Sequence, residues 1–276
     1  MYEKRAGAGD STAPARFGGI DMARVETRAP RWELTLFDEW RLRRAGREIR
    51  LHRRQQRLVT VLALEGSRPR GYVAGLLWPE STERHAMGNL RAAVWHTDQQ
   101  APGLLAHDRS LLRIAAPLRM DVDAFMHAAF EVLGGGQGSE RVDRAGGLRN
   151  LPLLLRGELL PGWYDDWVVY ERARLAQLRL RALQVLAETL IDEGKVVEAL
   201  IAASAAVSIE PLHEPAMRAL VGAEIADGDY SSALRDYAAY RARLQAELGV
   251  TPSARFEALV RPLLERRRPG GRPVVA

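Results

Sequence analysis

From Trp32 onward, apolar and polar positions fall into short, changing periods. WELTLFDEW alternates at Leu34 and Leu36, and Glu48-Ile49-Arg50-Leu51 alternates again after Ala45-Gly46, a pair that reads as a turn. A small antiparallel sheet is expected there. RQQRLVTVLALE (Arg54 to Glu65) then places Leu58, Val61, Leu62 and Leu64 at helical spacing, and Gly66 ends the pattern. A second short helix is expected from Gly71 to Trp78, stopped by Pro79. A third runs from about Glu83 to Gln100, with an N-cap at Ser81-Thr82 and a stop at Pro102-Gly103. LLAHDRSLLRI reads as two strands around a His107-Asp108-Arg109-Ser110 turn, with Pro117 and Asp121-Val122-Asp123 ending the unit. Strands, three helices and a hairpin, in that order, are the parts of a winged helix-turn-helix.

The back half changes period to 34 residues. Gly194 and Gly228 stand 34 apart, and the same offset relates Ala182 to Ala216, Leu186 to Leu220, Ala199 to Ala233 and Leu200 to Leu234. Small residues at helix crossings with that spacing are the tetratricopeptide pattern, each unit being helix, short turn, helix. The chain therefore reads as mostly α. Residues 1–30 are expected to form a disordered arm, 31–125 a winged helix-turn-helix domain, and 126–150 a Gly- and charge-rich linker. Residues 151–265 are expected to form a tetratricopeptide-like all-α domain, and 266–276 a basic disordered tail. Trp163, Tyr164 and Trp167, like Tyr230, Tyr237 and Tyr240, are expected in the core or capping it.

Charge sharpens this division. Residues 31–119 hold 16 Lys/Arg against 9 Asp/Glu, whereas residues 131–260 hold 14 against 19. A basic front and an acidic back imply different partners, with a polyanion at the front. The densest basic run is Arg41, Arg43, Arg44, Arg47, Arg50, Arg53, Arg54 and Arg57. No apolar run is long enough for a membrane span, and the first thirty residues lack the apolar core of a secretory signal, so cytoplasmic residence is expected. The absence of cysteine removes disulfides and thiol chemistry.

In a winged helix the third helix enters the major groove and the hairpin follows the backbone or the minor groove. With Ala86, Leu90, Val94 and Thr97 turned to the core, that helix offers Arg84, His85, Asn89, Arg91, Trp95, His96 and Gln99. Arginine can fork onto guanine O6/N7, and Asn or Gln can match adenine N6/N7. Arg91 and Asn89 are the expected base readers, with Arg84 and His85 beside them. Arg53, Arg54 and Arg57, around the start of the first helix, suit phosphate positioning, and Arg109 sits at the wing tip. For Asn89 the competing role is a local bond within the fold, and for Trp95 it is packing against the wing.

Enzymatic signatures are missing. The six histidines show no H-E-x-x-H spacing, no G-x-S-x-G elbow occurs, and no Lys-Ser/Thr follows the Gly134–Gly138 run as a phosphate loop would require. Asp165-Asp166 and Asp121-x-Asp123 fit a loop and a strand end. No cofactor, metal or catalytic residue is expected, and the chain is read as a non-enzyme.

Particular segments resemble the bacterial transcriptional activation domain family, the architecture of the Streptomyces antibiotic regulatory proteins. At the front these are Ala45-Gly46-Arg47, the first helix, Leu76-Leu77-Trp78-Pro79 and Asn89-Leu90-Arg91. At the back they are Arg156-Gly157-Glu158-Leu159-Leu160-Pro161-Gly162, Asp166-Trp167, Glu171-Arg172, Tyr237-Ala238-Ala239-Tyr240 and Glu247-Leu248-Gly249-Val250-Thr251-Pro252. The resemblance implies a promoter-binding regulator, an activator, that acts in concert with RNA polymerase or another protein held by the helical repeat. It also allows a homo-oligomer on DNA. One segment departs: where the family continues Trp-Arg-Leu-Arg, this chain has Trp95-His96-Thr97-Asp98. A carboxylate facing phosphate is unfavourable, so weaker or altered DNA binding is expected. The same departure motivates the alternative, a protein-interaction module whose winged helix has lost DNA binding.

Overall fold

The computed structural model describes residues 32–134 and 146–266. The expected arm over 1–30 lies outside them, as do residues 135–145 of the linker and all but Arg266 of the tail. Contacts divide the described residues into two units: Leu42–Leu118 with Trp32 and Glu33, and Leu34–Arg41 with those from Arg119 onward. The first unit therefore lacks Leu34–Arg41, which the sequence placed in the front domain. Among the described residues no helix is long and apolar enough to cross a membrane.

In strand β1 (Trp32–Thr35) Trp32 and Leu34 are buried and Glu33 is exposed, the period of two that the sequence shows. β2 (Arg41–Arg44) and β3 (Arg47–Ile49) form an antiparallel hairpin with Arg44 opposite Arg47. Its two-residue loop needs positive φ at both positions, and Ala45 (φ 48°) and Gly46 (φ 78°) adopt it.

The first unit is built on three helices: α1 (Arg53–Glu65), α2 (Arg70–Leu77) and α3 (Glu83–Gln100). Leu58, Val61 and Leu62 of α1, Val73 and Leu77 of α2, and Leu90 and Val94 of α3 are all buried. Helix α2 stops where expected, before Pro79. Thr82 caps α3 without a side-chain hydrogen bond, so the cap is weaker than its residue type suggests. The hairpin follows as β5 (Leu105–His107) and β6 (Leu111–Ile114), with His107 opposite Leu112. A third strand, β4 (Arg68–Pro69), pairs with the other edge of β6, Arg68 opposite Leu112. Two residues carry no periodicity, so this strand has no local signature.

After β7 (Leu118–Met120) the second unit begins with helices where a linker was expected. α4 (Asp121–Val132) buries Val122, Phe125, Ala128, Ala129 and Val132, a helical period, and α5 (Gly146–Leu154) buries Asn150, Leu151 and Leu154. The expected linker therefore begins inside one helix and ends inside another. The repeat follows as α6 (Asp166–Asp192), α7 (Val196–Ile209), α8 (Glu214–Asp227) and α9 (Tyr230–Leu248), closed by α10 (Ala254–Arg266). The 34-residue equivalents behave alike: Gly194 (φ 72°) and Gly228 (φ 83°) both turn left-handed, and Ala182, Ala216, Ala199 and Ala233 are all fully buried. Tyr237, Tyr240 and Phe256 share one cluster with Val260 and Leu263. Trp163 is buried as expected, but Tyr164 is 83% exposed and Tyr230 is 46% exposed, so neither belongs to the core.

The segment Leu34–Arg41 is fastened within the second unit. The Leu36 and Phe37 N–H groups donate to the Asp121 carboxylate at 3.0–3.1 Å, the Asp38 N–H to the Glu158 carbonyl at 3.0 Å, and the Leu160 N–H to the Leu36 carbonyl at 2.8 Å. Phe37 meets Phe125 edge-on at 5.3 Å, and the Arg179 guanidinium lies over both rings. The resembling Arg156–Gly162 segment thus has a mechanical role: it holds the Leu36–Asp38 segment in the second unit.

Candidate nucleic-acid interface

One turn of a helix brings positions three and four apart onto one face. On α3 this lines up Arg84, Gly88, Arg91, Trp95 and Asp98, with His85, Asn89, Ala92, His96 and Gln99 beside them. The opposite face, Ala86, Leu90, Ala93, Val94 and Thr97, is buried. Thr97 stands where the family has leucine, and it fits the core because its hydroxyl donates to the Ala93 carbonyl at 2.8 Å. The exposed stripe is thus fixed by packing beneath it.

Arg91, Trp95 and Asp98 form one wall of a cleft of about 670 Å³ that runs between α3 and the hairpin. His107, Asp108 and Arg109 of the hairpin line it as well, together with Arg70, Met87 and Val94. Trp95 stays 58% exposed, with its edge on His96 at 4.7 Å, so it is available to a ligand rather than packed against the hairpin. The remaining candidates lie outside the cleft. Arg84, His85, His96 and Gln99 are exposed along α3, and Asn89 is half-buried. Arg53 and Arg54 are exposed at the start of α1.

Arg57 is differently employed. Its guanidinium is half-buried and donates to the Leu77 carbonyl at 2.7 Å, so it satisfies the end of α2. Two arginines of the dense basic run are also spent internally: Arg44 stacks on Trp32 at 5.0 Å and donates to the Pro102 carbonyl, and Arg41 pairs with Glu39. Linear charge density therefore overstates the basic surface. It also misses Arg70, which lies in a loop-like RPRG stretch. The Arg70 side chain donates to the Asp108 carbonyl at 3.0 Å and its N–H to the Ser110 carbonyl at 2.9 Å. These bonds hold the hairpin tip while Arg70 still lines the cleft.

The tip itself is an Asx-type turn. The Asp108 carboxylate accepts from the Ser110 and Leu111 N–H groups, both at 2.7 Å, and these bonds hold it below the usual carboxylate range. Arg109, in the middle of the turn, is exposed. Asp98, the carboxylate expected to face phosphate, instead lies 2.8 Å from Nε2 of His107 on β5. Among the described residues no group of three His, Asp or Glu side chains could hold a metal ion.

Residues 139–264 match the family model described as the bacterial transcriptional activator domain. The chain carries a bacterial transcriptional activator domain. That segment is somewhat under half of the chain, and over it the chain is similar to the activator domains of bacterial transcriptional regulators. The regulatory protein AfsR of Streptomyces coelicolor is 27% identical over 224 residues, which cover 74% of this chain but 22% of that protein. The chain thus spans about a fifth of that relative's length. EmbR of Mycobacterium tuberculosis, solved in complex with a low-affinity phosphopeptide, aligns with a TM-score of 0.64 at 19% identity, over 88% of this chain and 67% of the other. At that identity the likeness is one of fold: a winged helix-turn-helix followed by a helical domain.

Proposed function

We propose that this activator-domain protein binds double-stranded DNA at specific promoter sequences, reading bases with α3 and following the backbone with the hairpin. The observation that carries this reading is the cleft, which Arg91 and Trp95 of α3 line together with Arg109 of the hairpin and Arg70. Cations on both walls suit a duplex whose groove takes the helix while the flanking phosphates meet the hairpin. Arg91 and Asn89 would read base edges, with Arg84 and His85 beside them at the helix start. Arg53 and Arg54 would position phosphates, and Trp95 would add apolar contact. The protein would work in the cytoplasm as an activator, its helical repeat holding RNA polymerase or another protein. The family description supports activation, and the repeat architecture supports protein contact.

The test is binding to duplex from the chain's own promoter region against a scrambled duplex, at several salt concentrations. The expected result is preference for the native duplex, with log K falling linearly in log salt. Arg91→Ala should relax selectivity at one position by about 1–3 kcal/mol, whereas Arg53→Ala with Arg54→Ala should weaken all duplexes alike and flatten the salt slope by roughly two. Equal, weak binding of both duplexes would overturn the reading and leave the helical repeat as the working part.

A further inference from the structure

We infer that Asp98 is a positioning residue for DNA binding: through His107 it pins the hairpin wing to the recognition helix α3 and so sets where Arg109 meets the duplex. The inference rests on the DNA-binding reading above and assigns a role to the place where the chain departs from its family, at Trp95–Asp98.

The wing hangs from three supports. β4 pairs with β6 through Arg68 and Pro69, on the side away from α3. Arg70 holds the tip by its N–H to Ser110 and its side chain to Asp108. The third support is direct: Asp98 Oδ2 and His107 Nε2 stand 2.8 Å apart, joining α3 to the strand that faces it. Both side chains are about one-third exposed, Asp98 33% and His107 37%, so the pair is partly shielded while still bordering the cleft. His107 is also fixed by its register opposite Leu112, so a force on its ring reaches both strands. The tip is itself rigid, because Asp108 closes the turn over Ser110 and Leu111. A braced turn on a pinned strand narrows where the backbone at Arg109 can sit relative to α3. A cation at position 98 could instead contact phosphate directly; here that contact is exchanged for pre-organisation of the wing, which lowers the ordering cost on binding.

The two accounts of Asp98 predict opposite signs. A carboxylate that merely faced phosphate would hinder binding, and Asp98→Ala would tighten it and steepen the salt dependence. A carboxylate that positions the wing helps, and its removal weakens binding. The experiment uses the full chain as wild type, Asp98→Ala, His107→Ala, the double variant and Asp98→Asn. Amide exchange of residues 105–114 is followed without DNA, and affinity for the promoter duplex is measured at several salt concentrations. Each alanine variant should lose affinity about three- to fivefold, as suits a partly exposed pair, and the double variant should be no worse than either single one. Asp98→Asn still accepts a hydrogen bond from His107 and should recover most of the loss. Wing amides should exchange faster in the alanine variants even without DNA. Tighter binding by Asp98→Ala, additive losses, or unchanged wing exchange would each overturn the inference. If the wild type binds no duplex but wing exchange still responds, the DNA-binding reading fails while the pin itself stands.

Discussion

Replacing Glu224 by Gln should stabilise the helical repeat above neutral pH and do little in acid. Glu224 lies on α8, 7% exposed, with its Oε2 lacking a hydrogen-bond partner. Burial raises its pKa, and the Asp236 carboxyl of α9, which shares a hydrogen bond with it, raises it further. Asp229 at the α9 cap adds to the rise and Arg235 opposes it, and the result is about 7 against an ordinary 4.5. A carboxyl raised in this way keeps its proton in the folded state at pH values where the unfolded chain has lost it. Its contribution is thus intact below 4.5, declines as pH climbs toward 7, and levels off above that. At about 1.4 kcal/mol per unit the rise corresponds to roughly 3 kcal/mol. Because Asp236 bears part of the cost, Glu224→Gln is expected to gain on the order of 2 kcal/mol at pH 8, its amide donating to the Asp236 carboxylate. Urea unfolding of both proteins at pH 5, 6, 7 and 8, with amide exchange reporting α8 and α9, measures the effect. A gain of equal size at pH 5 and pH 8, or a loss at every pH, would refute the reasoning.

Three further outcomes follow from contacts already described. Gly157→Ala should cost the second unit about 1 kcal/mol or less, because a Cβ there would overlap the carboxylate of Asp38, an exposed side chain that must turn aside. Asp38→Gly, which also removes a non-glycine residue at φ 67°, should restore most of that in thermal unfolding of the double variant. Arg57→Ala should lower first-unit stability by about 1–3 kcal/mol, since the Leu77 carbonyl loses its donor, and should leave the salt slope of DNA binding unchanged. Arg179→Lys should cost about 1–2 kcal/mol in urea unfolding. A lysine cannot stack on Phe37 and Phe125 as a guanidinium does while also donating to the Gly157 carbonyl.

The parts of the fold legible in the sequence are those whose signal is local. The three front helices and the hairpin with Ala45-Gly46 at its turn announce themselves within one or two turns, and the repeat by matched residues at a fixed 34-residue offset. The buried face of α3 follows from the same spacing. What escaped was set by distance along the chain. β4 exists because Arg68 pairs with Leu112, 44 residues away, and nothing in a two-residue stretch foretells it. Arg57 has the composition of a phosphate contact, but Leu77 claims it. Asp98 reads as a liability until His107 is placed opposite it. α4 is a different kind of miss: Val122, Phe125, Ala129 and Val132 already carry a helical period, and Asp121 and Asp123 suit a first turn, but Asp121–Asp123 reads as the end of the front unit and the Gly-rich stretch that follows draws residues 126 onward into a linker.

The chain enters the second unit at Leu34–Arg41, leaves it, and returns at Arg119. In the language of domain dissection, Leu42–Leu118 is an insertion within the second unit rather than a bead threaded before it. The stretch matched by the family model, 139–264, is thus not the smallest piece that can close its own core. Cut there, it would lack α4, and with it Phe125 and the carboxylate of Asp121, as well as the Leu36–Phe37 segment whose N–H groups that carboxylate receives. A self-sufficient version of this domain must carry eight residues that lie eighty or more positions upstream of its first helix.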